Sequence, residues 1–555
     1  MMLAGGNAFD AMVAAGFTAA VTEPTAAYSI AAEGVFMLYH WDSGDLLALS
    51  GQGTAPGRAT AEWYRSQGHE AIPTGPGLLA PLAFTVPGIV HGFLTVLERY
   101  GTMTVGEVLA PAIQYADQGF PNYEYMLKAL RAPSTISQFK QFPPGGIDIF
   151  YDDGRLPTPG SMLVQKALGS TLNKLVYAEK VASGGRVEGI RAARDMFYGG
   201  EVAKSIAEGS QQLGGLLDLA DLASYESRFE TPVKTSFAGH EVHCQSTWTQ
   251  APVMLQTLNI LEHFNLKDMG HNSAAYIHTL TEAIKLAMAD RQAYYGDPEY
   301  AAVPIDGLLS KEYAAKRATL IDPDKAYPEQ PPPGDPWRYS RLSGAPRPGH
   351  TASIPASDGG GDEAGTTHIS VIDGNGNMAC ATPSGGSFDK SVFFSELGCA
   401  ISTRIEMFNL EDHHPNQIHP GKRPRTTLVN YIVTRECLPV MTLGCPGGDH
   451  QVQGNLQLLL NTLLWGMNPQ QAVEAPRFAT QSIVNSFYPH IYCPGQLAVE
   501  NTIPVKTVDQ LVRLGHRITT VESAGMGATV SRRDPETGVL SSSGDPRRAC
   551  YAVAW

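Results

Sequence analysis

The chain has 555 residues, 43% of them hydrophobic and 17% charged, with a formal charge of −14. That apolar content supplies a large core, and the lack of any clustered Lys/Arg run argues against a nucleic-acid-binding surface. No run of 18 apolar residues offers a membrane span, and seven cysteines without CxxC spacing argue against a disulfide framework or a zinc site. The cysteines read instead as small buried apolar residues.

In chain order, residues 8–21 carry helix-compatible spacing, with Pro24 just beyond as a stop signal. Residues 34–50 read as a hairpin around Asp42-Ser43-Gly44. Helical patterns follow at 88–100, 104–118, 251–264 and 273–294. The tract 328–365 holds Pro331-Pro332-Pro333-Gly334 and Asp358-Gly359-Gly360-Gly361-Asp362, a composition that reads as a flexible linker. Beyond Gly365 the pattern turns to strands: 368–373, a Gly374-Asn375-Gly376-Asn377 turn, then 378–382. The expected organisation is a helix-rich first two-thirds, a linker and a strand-rich last third. The start lacks the basic and apolar regions of a signal peptide, so the sequence as it stands reads as cytoplasmic. An upstream segment would move that expectation to the periplasm or outside the cell.

Three features carry chemistry. Gly365-Thr366-Thr367-His368 sets a threonine at a linker-to-strand junction. There its hydroxyl can attack the preceding carbonyl and, once the bond breaks, use its own α-amine as base. Leu443-Gly444-Cys445-Pro446-Gly447-Gly448-Asp449 precedes a helical pattern, where backbone N–H groups can face a developing negative charge. Gly421-Lys422-Arg423-Pro424-Arg425-Thr426-Thr427 places hydroxyls beside basic residues. Each also reads as an ordinary turn.

Taken together and in order, these blocks resemble the γ-glutamyltransferase family of N-terminal-nucleophile hydrolases. Gly5-Gly6-Asn7-Ala8-Phe9-Asp10-Ala11, Thr85-Val86-Pro87-Gly88, Tyr100-Gly101-Thr102-Met103, Ala475-Pro476-Arg477-Phe478 and Asp545-Pro546-Arg547 extend the likeness over the whole chain. The resemblance implies an α/β fold, a four-layer αββα sandwich. It also implies a proenzyme that cleaves itself between Gly365 and Thr366 into a large subunit, 1–365, and a small one, 366–555. Thr366 is then the nucleophile, Gly447 and Gly448 the oxyanion-hole pair, and Ser384 the hydroxyl that bonds the nucleophile's amine. Thr426 and Thr427 fall on a pair that contacts the substrate. No metal or organic cofactor is implied. The partners are a small-molecule amide and the cleaved halves as a heterodimer, open to a higher oligomer, with no nucleic acid and no membrane.

The departures gather in the substrate set. Gln52 stands where glutathione-using members carry an Arg, Arg404 replaces a Gln, and Met407 replaces an Asp. Glu406 lies one residue from Met407 on what reads as a strand, and Asp449 joins the substrate-binding set. The expected acyl donor is therefore not a typical γ-glutamyl compound, and Arg404 could meet a carboxylate on another acyl group. Two other readings stand beside this one: an amidohydrolase or cephalosporin/glutaryl-type acylase on the same fold, and an inactive homologue serving as a binding module.

Overall fold

The computed structural model describes residues 1–75, 77–141, 146–344, 365–385, 387–525 and 527–555. The chain forms two compact units. Unit 1 comprises Met1–Glu230, Ala364–Glu411 and Ile418–Pro424; unit 2 comprises Thr231–Glu363, Asp412–Gln417 and Arg425–Trp555. Each unit draws on chain from both sides of residue 365.

Unit 1 is built on a five-stranded sheet. Its strands are β1 (Glu33–His40), β2 (Asp45–Gly51), β3 (Arg228–Glu230), β4 (Ile369–Ile372) and β5 (Met378–Ser384), in the order β3-β2-β1-β5-β4. All neighbours are antiparallel. β1 and β5 carry near-continuous apolar runs and are buried along almost their whole length. Such runs suit strands with neither face left to solvent.

Helix α1 (Ala8–Thr22) starts on a capping box, in which Asn7 Oδ1 accepts from the Phe9 and Asp10 amides while Asp10 accepts from the Asn7 amide. Asp10 also accepts from the Thr102 amide and hydroxyl and from the Met103 amide. One carboxylate thus joins the Gly5–Ala11 motif to the Tyr100–Met103 motif, which lies between α2 (Ile89–Tyr100) and α3 (Val105–Gln118). Helix α1 packs on α2, α3, β4 and β5. Phe17, Phe36 and Phe93 fill the space between them with ring centroids 5.4 and 5.3 Å apart. Burying each such ring contributes about 1.5–3 kcal/mol.

Unit 2 holds a six-stranded antiparallel sheet in the order Leu540–Ser542, Thr529–Arg533, Leu438–Gly444, Tyr431–Arg435, His240–Cys244, Val233–Phe237. Helices α4 (Pro252–Leu261), α5 (Ala274–Tyr294) and α6 (His450–Leu463) supply its apolar core. α4 contacts both other helices, and α6 packs on the strand that leads into it.

The structure corrects three expectations. Residues 328–344 are not a free linker. Gln330 donates its amide to Tyr492 Oη, Tyr294 Oη donates to the Gly334 carbonyl, Arg317 reaches the Pro332 carbonyl, and residues Pro336–Tyr339 form a 3-10 helix. Proline-rich chain lacks donors of its own but still offers carbonyls, and here buried side chains take them up. Residues 345–364 of that expected linker lie outside the described residues. Residues 404–407 form a 3-10 helix rather than a strand, so the alternation argument for Glu406 does not apply. Five cysteines are buried as expected, but Cys437 is exposed in a turn and Cys550 half-buried. Among the described residues no helix is long and apolar enough to cross a membrane.

Candidate active site

In unit 1 the chain enters the sheet at Gly365. A Cβ there would stand 2.5–2.9 Å from the backbone of Ala26, so only glycine fits against that chain. Thr366 follows, 1% exposed, and its Oγ1 donates to the Gly365 carbonyl at 2.8 Å. Pairing then fixes the next residues: the Thr367 amide donates to the Pro383 carbonyl, Thr367 Oγ1 to Glu23, and His368 Nδ1 meets Thr382 Oγ1 at 2.8 Å.

Ser384 closes β5 beside this junction. Its hydroxyl reaches the same Gly365 carbonyl at 3.0 Å and accepts from Arg404 Nη2 at 2.5 Å. In the continuous chain Ser384 thus addresses the carbonyl of the bond expected to break. Arg404 is fully buried and lies in an ion pair with Glu33, Nε to Oε1 3.0 Å; Ser402 Oγ donates to the other Glu33 oxygen. Glu33 sits directly across from Ser384 in the β1–β5 register. Burial pushes its carboxyl up to about 7, against the pull of Arg404 and the Ser402 hydroxyl.

Gln52 continues the same row across β2, one step beyond the Gly34–Gly51 pair. It is fully buried, and among the described residues neither its amide oxygen nor its nitrogen has a hydrogen-bond partner. A buried amide left unpaired costs about 1–3 kcal/mol. Glu406 is buried and pairs with Lys390 at 3.2 Å, and Met407 is buried beside it.

In unit 2, Gly447 and Gly448 have φ of 115° and 50° at the turn into α6. Gln250 holds the turn by donating to the Gly448 carbonyl at 2.9 Å and to the Thr427 carbonyl at 2.8 Å. Arg291 in turn donates to Gln250 Oε1 and forms an ion pair with Asp449. The other donors to Asp449 are the Ser486 hydroxyl and amide, both at 2.7 Å. Burial raises the Asp449 carboxyl, but Arg291 and Ser486 outweigh it and the net shift is downward. Asp449, expected among the substrate contacts, therefore has both oxygens engaged within its own unit and braces the glycine turn. Thr426 Oγ1 accepts from the Leu428 amide; the buried Thr427 hydroxyl has no partner among the described residues.

Glu33, Gln250 and Arg291 were not anticipated as site residues. A carboxylate at the head of an apolar strand was the available signal for Glu33. Nothing local marks Gln250, and Arg291 is legible only as part of the block Ala289-Asp290-Arg291 that shares in the family likeness, without a role attached to it.

His278, Glu282 and His516 bring ligand atoms within 4.8 Å of one another. Lys285 Nζ, 2.8 Å from Glu282 Oε1, already supplies the positive charge there, and the Tyr327 amide takes the second oxygen. His278 bridges His516 and the Asp322 carbonyl, while burial and Lys285 push His516 down to about 3. The ligand atoms of this cluster are thus already engaged with protein groups.

The α/β fold is that of autoprocessing N-terminal-nucleophile amide hydrolases and acyltransferases. The family model for γ-glutamyltranspeptidase matches residues 1–555, and the chain belongs to that family. It is 31% identical over 556 residues to the glutathione hydrolase proenzyme of Escherichia coli (strain K12), covering 98% of this chain and 87% of that protein. Among solved structures it resembles LmbA2991HD, with TM-score 0.89, 35% identity and coverage of 99% and 94%. It also resembles the cephalosporin acylase of Bacillus halodurans, with TM-score 0.84, 28% identity and coverage of 100% and 92%.

Proposed function

We propose that Thr366 is the nucleophile of this enzyme and that cleavage of the Gly365–Thr366 bond frees its α-amine to act as base. The observation that carries this reading is the convergence of the Thr366 and Ser384 hydroxyls on the Gly365 carbonyl, at 2.8 and 3.0 Å. In turnover, Thr366 Oγ attacks an amide carbonyl, the amine leaves, and the acyl-threonine ester passes to water or to an acceptor amine. Gly447 and Gly448 are the proposed backbone donors to the oxyanion, each worth about 2.7–4 kcal/mol of barrier.

The products, 1–365 and 366–555, remain together as a heterodimer. Strand pairing supports this: β1 from the first product pairs with β5 from the second along seven residues. The sheet of unit 2 likewise takes two strands from before the junction and four from after it. Losing one peptide bond leaves those ladders intact.

The acyl donor is an amide whose acyl group lacks a free α-amino-acid end. Gln52 and Met407 are neutral, and Arg404 is fully buried with Nε 3.0 Å from Glu33 and Nη2 on the Ser384 hydroxyl, so Arg404 is not an open carboxylate clamp. A missing charge-assisted fork costs about 1.5–3 kcal/mol. The glutathione hydrolase and cephalosporin acylase relatives bracket the choice, and this geometry favours the acylase side. The test compares kcat/KM on γ-glutamyl anilide, glutaryl amide, cephalosporin-type and oxamate substrates, with γ-glutamyl anilide expected about 10–100-fold below the best of the others. Equal or better γ-glutamyl turnover sinks the assignment.

A further inference from the structure

Self-cleavage at Gly365–Thr366 makes the Gly365 carbonyl oxygen an oxyanion before any external substrate does. Thr366 Oγ forms a bond to the Gly365 carbonyl carbon, and the carbonyl π pair moves onto oxygen. The C–N bond then breaks, and the Thr366 nitrogen keeps the bonding pair and gains the proton that the hydroxyl lost. Water hydrolyses the ester to leave the Gly365 carboxylate and the free Thr366 hydroxyl and amine. The charge that appears and disappears sits on the Gly365 oxygen, and in this chain Ser384 Oγ lies 3.0 Å from it.

Ser384 has one proton to give. Its next nearest acceptor, the Ala27 carbonyl at 3.4 Å, is a poor competitor for the 3.0 Å bond. Behind it Arg404 Nη2 donates into Ser384 Oγ at 2.5 Å, which orients the lone pairs so that the hydroxyl proton points at Gly365. Arg404 cannot swing away. Its backbone follows residues pinned by Ser402 N to the Ala31 carbonyl and Thr403 N to the Gly385 carbonyl, and its Nε faces Glu33. Glu33 is held by the Ser402 hydroxyl and stands opposite Ser384 in the sheet.

We propose that Arg404 and Glu33 are positioning residues for self-cleavage: Glu33 fixes Arg404, Arg404 fixes the Ser384 hydroxyl, and Ser384 stabilises the oxyanion on Gly365. This rests on the reading of Thr366 as the nucleophile. It gives the buried Arg–Glu pair a task in maturation rather than in binding an acyl-chain carboxylate.

The test follows full-length chain made in a cell-free reaction and sampled over time on a denaturing gel. Wild type should give fragments of about 39 and 20 kDa, in proportion to 365 and 190 residues of the 59.5 kDa, 555-residue chain. Ser384→Ala should slow the appearance of both about 100-fold or more, the loss typical of one oxyanion donor. Ser384→Thr should keep most of the rate. Arg404→Gln should slow it about 10–100-fold, with Arg404→Lys partly restoring it, since an ammonium donates but without the fixed fork. The deciding measurement is the double variant: Ser384→Ala/Arg404→Gln should be no slower than Ser384→Ala alone, because Arg404 acts only through that hydroxyl. A folded Arg404→Gln, with native circular dichroism and wild-type rate, overturns the proposal, as do fully additive losses in the double variant. If Arg404→Gln does not fold, a folded Arg404→Lys that cleaves at the wild-type rate overturns it equally. A wild type that stays a single band defeats the reading of Thr366 itself, an outcome distinct from cleaved wild type with cleaved Arg404→Gln.

Discussion

Each unit holds a buried arginine–carboxylate pair beside a backbone position proposed to react, and the two pairs are tuned in opposite directions. In unit 1, Glu33 has Arg404 and one serine hydroxyl, and burial still raises it to about 7. In unit 2, Asp449 has Arg291 plus the hydroxyl and amide of Ser486, and it stays below the ordinary range. Two differences set the sign: Asp449 has one donor more than Glu33, and the Glu406 carboxylate near Glu33 raises it further, whereas each good donor offsets part of the desolvation cost.

The largest expected effect falls on the junction in unit 1. Thr366→Ala should leave a single uncleaved band on a denaturing gel and no amidase activity, since it removes attacking oxygen and later nucleophile together. Next, on the unit 2 side, Arg291→Gln should destabilise the protein by about 3–5 kcal/mol in chemical denaturation, because it strands a buried carboxylate. Gly365→Ala should slow self-cleavage about 10–100-fold with a smaller change in melting temperature, as the added Cβ would run into the backbone of Ala26 and shift the Gly365 carbonyl from the Thr366 and Ser384 hydroxyls.

The contrast between the pairs also predicts pH dependence. Glu33, raised in the folded state, holds a proton that the unfolded chain releases, so stability falls as pH rises from about 4.5 towards 7. The charged or titratable groups facing it are Arg404, Glu406 and Tyr225. Asp449, depressed in the folded state and facing Arg291 and Arg425, contributes stability above the ordinary aspartate range that is lost as pH falls below about 4. Denaturation midpoints from pH 3 to 8 should show both slopes, with Glu33→Gln removing the upper one and Asp449→Asn the lower. The smallest effect is expected from Thr427→Val, which removes an unpartnered hydroxyl. It should leave the melting temperature level or slightly higher and raise KM a few-fold if that hydroxyl meets substrate.

Much of the fold could be read from local signals. The Asn7–Asp10 capping box, the Asp42-Ser43-Gly44 hairpin and the strand pair around Gly374–Asn377 all form where their residues require. The order of the tract 328–344 is not legible in its composition, which reports how little apolar surface a segment carries, not which side chains from elsewhere bond its carbonyls. The junction Gly365–Thr366 and the Gly447–Gly448 turn were legible as an ordered set of motifs. Arg404 was legible as a departure, yet its role was not, because its partner Glu33 lies 371 positions earlier in the chain.

By itself the sequence determined which backbone can turn, cap and pair, and which hydroxyl stands at the edge of a strand, since these depend on neighbours within a few residues. Only tertiary structure decided which charges meet. A buried guanidinium takes its function from the group opposite it, and that group arrives by tertiary packing: strand register sets Glu33 beside Ser384 in unit 1, and helix α5 brings Arg291 against Asp449 at the start of α6 in unit 2.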